Sequence, residues 1–427
     1  MKKKQKKSSQ KSTTTNRSRV VCPEYMVNFS CTGSACADSC CAGWTVSIDK
    51  STYRKYKEYR GSNEQLKKLF DDNVIPVVQN RNTGNYGRIK MDESNACPFL
   101  NEDSLCQIQL AQGHSALSDT CTIYPRALHK INGELEYSGT LSCPVLADSA
   151  LLDKEGLRII TTTLNLPKNL LPIIAEYRSK VPSPLVQKYF FDLQFSAINI
   201  LQYREISLEK RLILLGDFSE KVLITAAGER ELLQKIIDKY NQAIYLDVFL
   251  ENRPKVEPNH WEQIHVAKLW CMGNSKYSDI SRQALYAILG EQPKEGEEVR
   301  KDEILARYRE GIEKYHELMK TKSYILENYI TNTLFHERYP IIVHHHPGVR
   351  THIALSHFLI SLKFILIRTT LIGLLIKGEE ITDEYMASLI QLFVKRFHHN
   401  FSVKDEFIEF YRNEEEHSFE TDSLLIL

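Results

Sequence analysis

FSCTGSACADSCCAGW, residues 29–44, places four thiols, Cys31, Cys36, Cys40 and Cys41, within a few turns of chain. Working outward, Cys97, Cys106, Cys121 and Cys143 follow, so eight of the ten cysteines lie between Cys31 and Cys143. Cys22 and Cys271 stand apart and read as small buried hydrophobes. Thiolates are soft ligands that suit zinc and iron–sulfur centres. Crowding them into one third of a chain signals a bound metal or a set of disulfides, and that choice decides what kind of domain this is.

The start of the chain favours metal. MKKKQKKSSQKSTTTNRSR (1–19) is charged but has neither an apolar run nor a small-residue cleavage site, so it is not a secretory signal, and a cytoplasmic location is expected. Disulfide scaffolds serve small exported domains that lack a core. A chain of 427 residues with 42% hydrophobic composition has material for large cores. Adjacent Cys40 and Cys41 are also poorly placed to bridge each other. Reduced, partly buried thiols with one or two disulfides are the alternative.

Charge is unevenly spread. Residues 1–19 carry eight basic side chains and no acids, which leaves −7 on the remainder of a chain whose net charge is +1. The stretch 1–20 therefore reads as a disordered basic tail, solvated or touching an anionic surface. The acidic body argues against a nucleic-acid partner. IALSHFLISLKFILIRTTLIGLLI (353–376) contains Lys363 and Arg368 and reads as a buried helix rather than a membrane span.

The expected fold is mainly α: a cysteine-rich metal- or cluster-binding domain with short β hairpins (21–150), then a larger all-α helical domain (151–427). Trp44–Ile48, Tyr86–Met91 and Glu134–Leu141 read as short strands and Ser51 onward as helix. From Leu151 the pattern changes. Pro182 and Pro184 mark a turn, and Leu305, Tyr308, Ile312, Tyr315, Met319, Leu326, Tyr329 and Ile330 repeat at helical spacing. Thr382, followed by Asp383 and Glu384, caps a last helix.

Within the cysteine region, Cys36 and Cys40 are four apart and would share one face of a helical turn. Gly33 allows a tight bend between thiols. CPFLNEDSLC (97–106) reads as a hairpin in which Leu100 faces Asp103 and Cys97 faces Cys106, placing two sulfurs at one metal. No zinc ribbon, ferredoxin run, CxxxCxxC motif, P-loop or dinucleotide fingerprint is present.

The run 29–44, with CPFL (97–100), LSDTCTIYPR (117–126) and LSCP (141–144), resembles the flagellin lysine-N-methylase family. ENYITNTLF (327–335) with Tyr339-Pro340 is similar to a second family block, and RFHH (396–399) to a third. The resemblance implies N-methylation of flagellin lysines with S-adenosylmethionine as donor. It also implies an iron–sulfur cluster, 4Fe–4S in type, on some of Cys31, Cys36, Cys40, Cys41, Cys97, Cys106, Cys121 and Cys143. Tyr124, Arg126 and Glu327 are then catalytic candidates, and Arg126, Asn328, Tyr329 and Asn332 donor-binding candidates.

The bland readings stand beside these. Arg126 serves equally as a buried structural arginine, and Glu327 and its neighbours as helix-packing residues. His344-His-His346 before Pro347-Gly348 reads as a loop, and His398 and His399 as a helix end. A zinc- or cluster-stapled interaction module without enzymatic activity is the competing function, with a redox module as a weaker one.

Overall fold

The structure, a computed structural model, describes residues 16–79, 81–166, 175–176, 184–225, 230–242, 257–271, 276–290, 300–341, 353–399, 407–409 and 426. The His344–His346 loop, Pro182 and the first fifteen residues lie outside these ranges.

Two sheets and a helical body make up the described chain. Strand β1 (Asn16–Pro23) pairs antiparallel with β7 (Ile159–Leu166) and parallel with β6 (Glu134–Gly139). Strand β5 (Arg126–Ile131) joins β6 through a hairpin whose turn residues, Asn132 and Gly133, both have positive φ. Asn-Gly is the residue pair that such a two-residue turn favours. Strand β8 (Ala175–Glu176) closes the order β7-β1-β6-β5-β8.

The second sheet is smaller, with β2 (Ser47–Ile48) and β3 (Val74–Pro76) flanking β4 (Gly87–Ile89). Helices α1 (Lys50–Lys57) and α2 (Glu64–Asn73) cover it. Asp49 caps α1 by accepting from Thr52 N at 2.9 Å, and its other oxygen accepts from Asp119 N at 3.2 Å. One buried carboxylate thus ties the first helix to α4 (Asp119–Ile123). Phe70 stacks on Tyr56 at 4.4 Å and meets Phe99 at 5.3 Å, which fills the core of this module.

Helices α3 (Gln107–Gln112) and α5 (Pro144–Leu151) complete the cysteine-rich half. The body is built from α6 (Pro184–Lys188), α7 (Phe190–Leu201), α8 (Leu208–Thr225), α9 (Arg230–Tyr240), α10 (His260–Trp270), α11 (Lys276–Leu289), α12 (Lys301–His336), α13 (Ile353–Lys377) and α14 (Asp383–His399). The expected cap of α14 is present: Tyr385 N donates to Thr382 Oγ1 at 3.1 Å.

Helix α13 is the axle. It is long and apolar enough to cross a membrane, yet 89% of that apolar window is buried inside the protein. It packs against α8, α10, α11 and α12. Its two buried charges are matched internally, Lys363 with Glu337 and Arg368 with the Ile426 carbonyl at 2.7 Å. Gly373 permits the closest crossing, because a Cβ there would lie 2.2 Å from the Ala284 carbonyl oxygen of α11.

Three expectations need correction. Asn16–Arg19 is the first half of β1 rather than disordered tail, with Arg17 and Arg19 exposed and Val20, Val21 and Cys22 buried. The segment after 151 is not all-α, since β7 and β8 both belong to the five-stranded sheet. Cys36 and Cys40 do not share a helix: Gly33–Ala35 forms one short helical turn and Cys36 ends it in an extended conformation.

Candidate metal centre and adjoining cleft

Cys40, Cys41, Cys97, Cys106 and Cys121 line one apolar cavity of about 100 Å³, walled also by Trp44, Tyr56, Phe99 and Tyr124. Each thiol arrives from a different local device. Cys97 N donates to the Cys41 carbonyl at 2.7 Å, and Ala42 bridges Ala96, so two distant strands of loop run side by side. Cys106 sits at the start of α3 and bridges Leu100. This corrects the expected hairpin register: Leu100 faces Cys106, while Asn101 closes a turn onto Ser104 and Leu105. Ser118 caps α4 by accepting from Cys121 N at 3.3 Å, which aims Cys121 inward. Trp44 Nε1 donates to the Cys40 carbonyl at 2.7 Å.

The helical body also holds this site. Lys395 of α14 donates to both oxygens of Asp38 at 2.8 Å and to the Ser39 carbonyl at 3.2 Å. Gln391 spans Asp38 at 2.9 Å and the Ser142 carbonyl at 2.7 Å. The loop carrying Cys36, Cys40 and Cys41 is therefore clamped onto a helix more than 340 residues away in sequence.

All ten cysteines are free thiols, so the disulfide alternative is not realised. Burial pushes Cys97 up to about 12 and Cys121 up to about 11, and the neighbouring Cys106 and Cys40 add to both shifts. A hydrogen bond to Cys41, then burial, also raises Cys40. Buried sulfurs that oppose one another's ionisation become thiolates once a cation joins them, and metal binding then releases protons.

Among the described residues, no three His, Cys, Asp or Glu side chains meet as a single-ion site. Five cysteines share the lining of one cavity. Mononuclear zinc draws its thiolates to one centre, whereas in a polynuclear iron–sulfur cluster each thiolate can bind a different iron, and the ligands stand farther apart. The donor set, all soft thiols, suits zinc and iron–sulfur groups alike.

The eight cysteines are not one set. Cys31, Cys36 and Cys143 form a second neighbourhood: burial raises Cys143 to about 11, with Cys36 and Cys31 adding to it. Cys31 is exposed. A larger cleft of about 440 Å³ lies between residues 24–30 and α5, with no cysteine in its lining.

The remaining candidates separate. Tyr124 walls the cysteine cavity, its hydroxyl 3.2 Å from Ser142 Oγ and its ring 5.7 Å from Trp44. Burial raises its pKa, so the phenol is neutral. Arg126 opens β5 with its guanidinium 4.8 Å over the Phe29 ring. Glu327 faces two arginines, with Oε1 accepting from Arg204 at 2.8 Å and Oε2 from Arg211 at 2.6 Å. Its carboxylate is already matched, so the packing reading describes it better than substrate binding.

Asn328 Nδ2 holds the Asp153 carbonyl at 2.7 Å and that of Leu151 at 3.3 Å. Asn332 accepts from the Tyr25 hydroxyl. Tyr329 is buried, with its ring 6.3 Å from Phe393. Sequence reasoning missed the Asp38–Lys395–Gln391 clamp, whose partners carry no local pattern. It also missed Asn132-Gly133, whose turn signal was available.

His398 lies in the last turn of α14, where Nε2 is 3.1 Å from Glu337 and Nδ1 3.2 Å from Thr140 Oγ1. The helix-end reading therefore holds, with an added role in joining the sheet to the body.

Comparison with known proteins agrees with this layout. The family profile described as FliB lysine N-methylase C-terminal domain matches residues 194–427. The flagellar biosynthetic protein FliU of Salmonella muenchen is 36% identical over 138 residues, 32% of this chain and 79% of that protein. Lysine-N-methylases of Salmonella choleraesuis (strain SC-B67) and Salmonella typhimurium (strain LT2) are each 35% identical over 143 residues. Those matches cover 33% of this chain and 35% of either methylase. No solved structure matches significantly. With the profile covering more than half of its length, the chain belongs to the FliB lysine N-methylase family.

Proposed function

We propose that the protein methylates lysine side chains of flagellin in the cytoplasm, with S-adenosylmethionine as donor and an iron–sulfur cluster, 4Fe–4S in type, held by Cys40, Cys97, Cys106 and Cys121, with Cys41 beside them. The observation that carries this reading is the set of five thiols lining one cavity in a chain of this family.

Methyl transfer is a displacement in which the lysine nitrogen forms a bond to the methyl carbon as the carbon–sulfur bond breaks. The ammonium has no lone pair and must first give up its proton to water or a base. A desolvated setting disfavours the charged amine and so assists that loss. Tyr124, neutral and tethered near Ser142, is suited to orient an amine by hydrogen bonding rather than to abstract its proton. When bound, a cluster held by these four cysteines would staple the loops and leave no iron open to the donor. Asp38, Lys395 and Gln391 keep the thiols of its main loop in place. Most of the rate gain then comes from alignment of nitrogen, carbon and sulfur.

Two measurements test the reading. Anaerobically purified protein is expected to be brown and to carry iron and sulfide, whereas colourless zinc-loaded protein would favour the stapled interaction module. Flagellin co-expressed with it is expected to gain mass in methyl increments on lysine-containing peptides; unmodified flagellin would refute the proposed substrate.

A further inference from the structure

We propose that the cleft between residues 24–30 and α5 is the docking site of the sulfonium donor, with Glu24 and Arg158 receiving its zwitterionic amino-acid end; this rests on the methyl-transfer reading above. The cleft, at about 440 Å³, has the volume of a small-molecule site, whereas the cysteine cavity of about 100 Å³ has no room for a nucleoside beside a cluster.

Its lining matches an amphoteric ligand with a flat apolar portion. Phe29, Val145 and Leu157 supply apolar surface, and Asn28, Ser30 and Asp153 supply hydrogen-bonding groups. Opposite charges stand together on its lining, with Arg158 Nη2 2.5 Å from Glu24 Oε2 and the two side chains 63% and 48% exposed. An exposed ion pair is weak. A ligand carrying both an ammonium and a carboxylate can replace it with two pairs of the same sign pattern, at little cost.

The cleft is also braced from beneath. Glu24 N donates to the Arg158 carbonyl at 2.9 Å, which fixes the two charged residues relative to each other. Asn332 holds Tyr25, Asn328 holds Asp153, and Arg204, itself paired with Glu327, donates to the Lys154 carbonyl at 2.9 Å. Three residues of the 327–335 block therefore support one rim without lining it. Such rigidity lowers the ordering cost of binding.

The test is calorimetric titration of the full-length, metal-loaded protein with S-adenosylhomocysteine, the demethylated donor. Arg158→Ala is expected to weaken binding at least tenfold. Ser149→Trp, at an exposed position of α5 facing the cleft, is expected to abolish it while iron content and thermal midpoint stay at wild-type values. Wild-type affinity in a folded Ser149→Trp protein overturns the location. So does a Ser149→Trp protein that loses binding of a lysine-bearing flagellin peptide but keeps that of S-adenosylhomocysteine. Should the tryptophan variant fail to melt cooperatively, Arg158→Ala alone decides, and unchanged affinity counts against the site. Wild-type protein that neither binds S-adenosylhomocysteine nor methylates flagellin refutes the functional reading instead; methylation that persists in a folded Ser149→Trp protein refutes only the location.

Discussion

Ten buried hydrophobic residues between Val46 and Ile108 hold the cysteine module, whereas one continuous cluster runs from Val20 in the sheet through every long helix to Ile426. The second region can satisfy itself by burial alone. The first has too little apolar surface for its loops, which is the situation in which small domains rely on a metal staple. The same contrast governs charge: the body neutralises buried Glu327 with two arginines, while in the module neighbouring thiols oppose one another's ionisation.

The contrast is broken most severely by removing the staple. Cys97→Ser combined with Cys121→Ser is expected to eliminate bound iron and unfold residues 40–121, since metal binding in small structural sites supplies on the order of 10 kcal/mol. Hydrogen exchange should show that loss there and continued protection in α12 and α13. Equal protection of the module without metal would make these thiols ordinary packing residues.

Glu327→Ala probes the other side. It leaves Arg211 buried beside no carboxylate and is expected to cost about 3–5 kcal/mol, read as a lower chemical-denaturation midpoint. Glu327→Gln should be milder and keep methyl transfer per folded molecule. A glutamine variant with an unchanged midpoint and no transfer would instead return Glu327 to the list of catalytic groups.

The smallest effect is expected at the seam. Asp38→Ala removes the anchor for Lys395 and Gln391 and should cost about 1–2 kcal/mol, seen as faster loss of iron to a chelator with the helical body unaffected. An unchanged rate of loss would mean the clamp does not hold the thiol loop.

What was legible in the sequence tracks the range of the interactions involved. The cap at Thr382, the buried helix 353–377 and the bend at Gly33 depend on neighbours a few residues away, and periodicity or residue type revealed them. Strand β1 looked like polar tail because its pairing partners, residues 159–166, lie far along the chain. The cysteines were legible as a group by composition alone. That only five of them line one cavity was not, because it depends on Cys97 meeting Cys41 across the chain and on Lys395 fixing Asp38. Glu327 stood out by motif, but only its contact with Arg204 and Arg211 shows how its charge is used.

The position of β1 has a consequence for biogenesis. Its partner β7 leaves the ribosome on the order of ten seconds after it, given ordinary elongation rates. During that interval residues 46–121 are complete and can begin their own contacts. Vectorial synthesis therefore lets the small sheet and its helices form before the amino-terminal strand is stitched to β7, while the Asp38 clamp waits for α14.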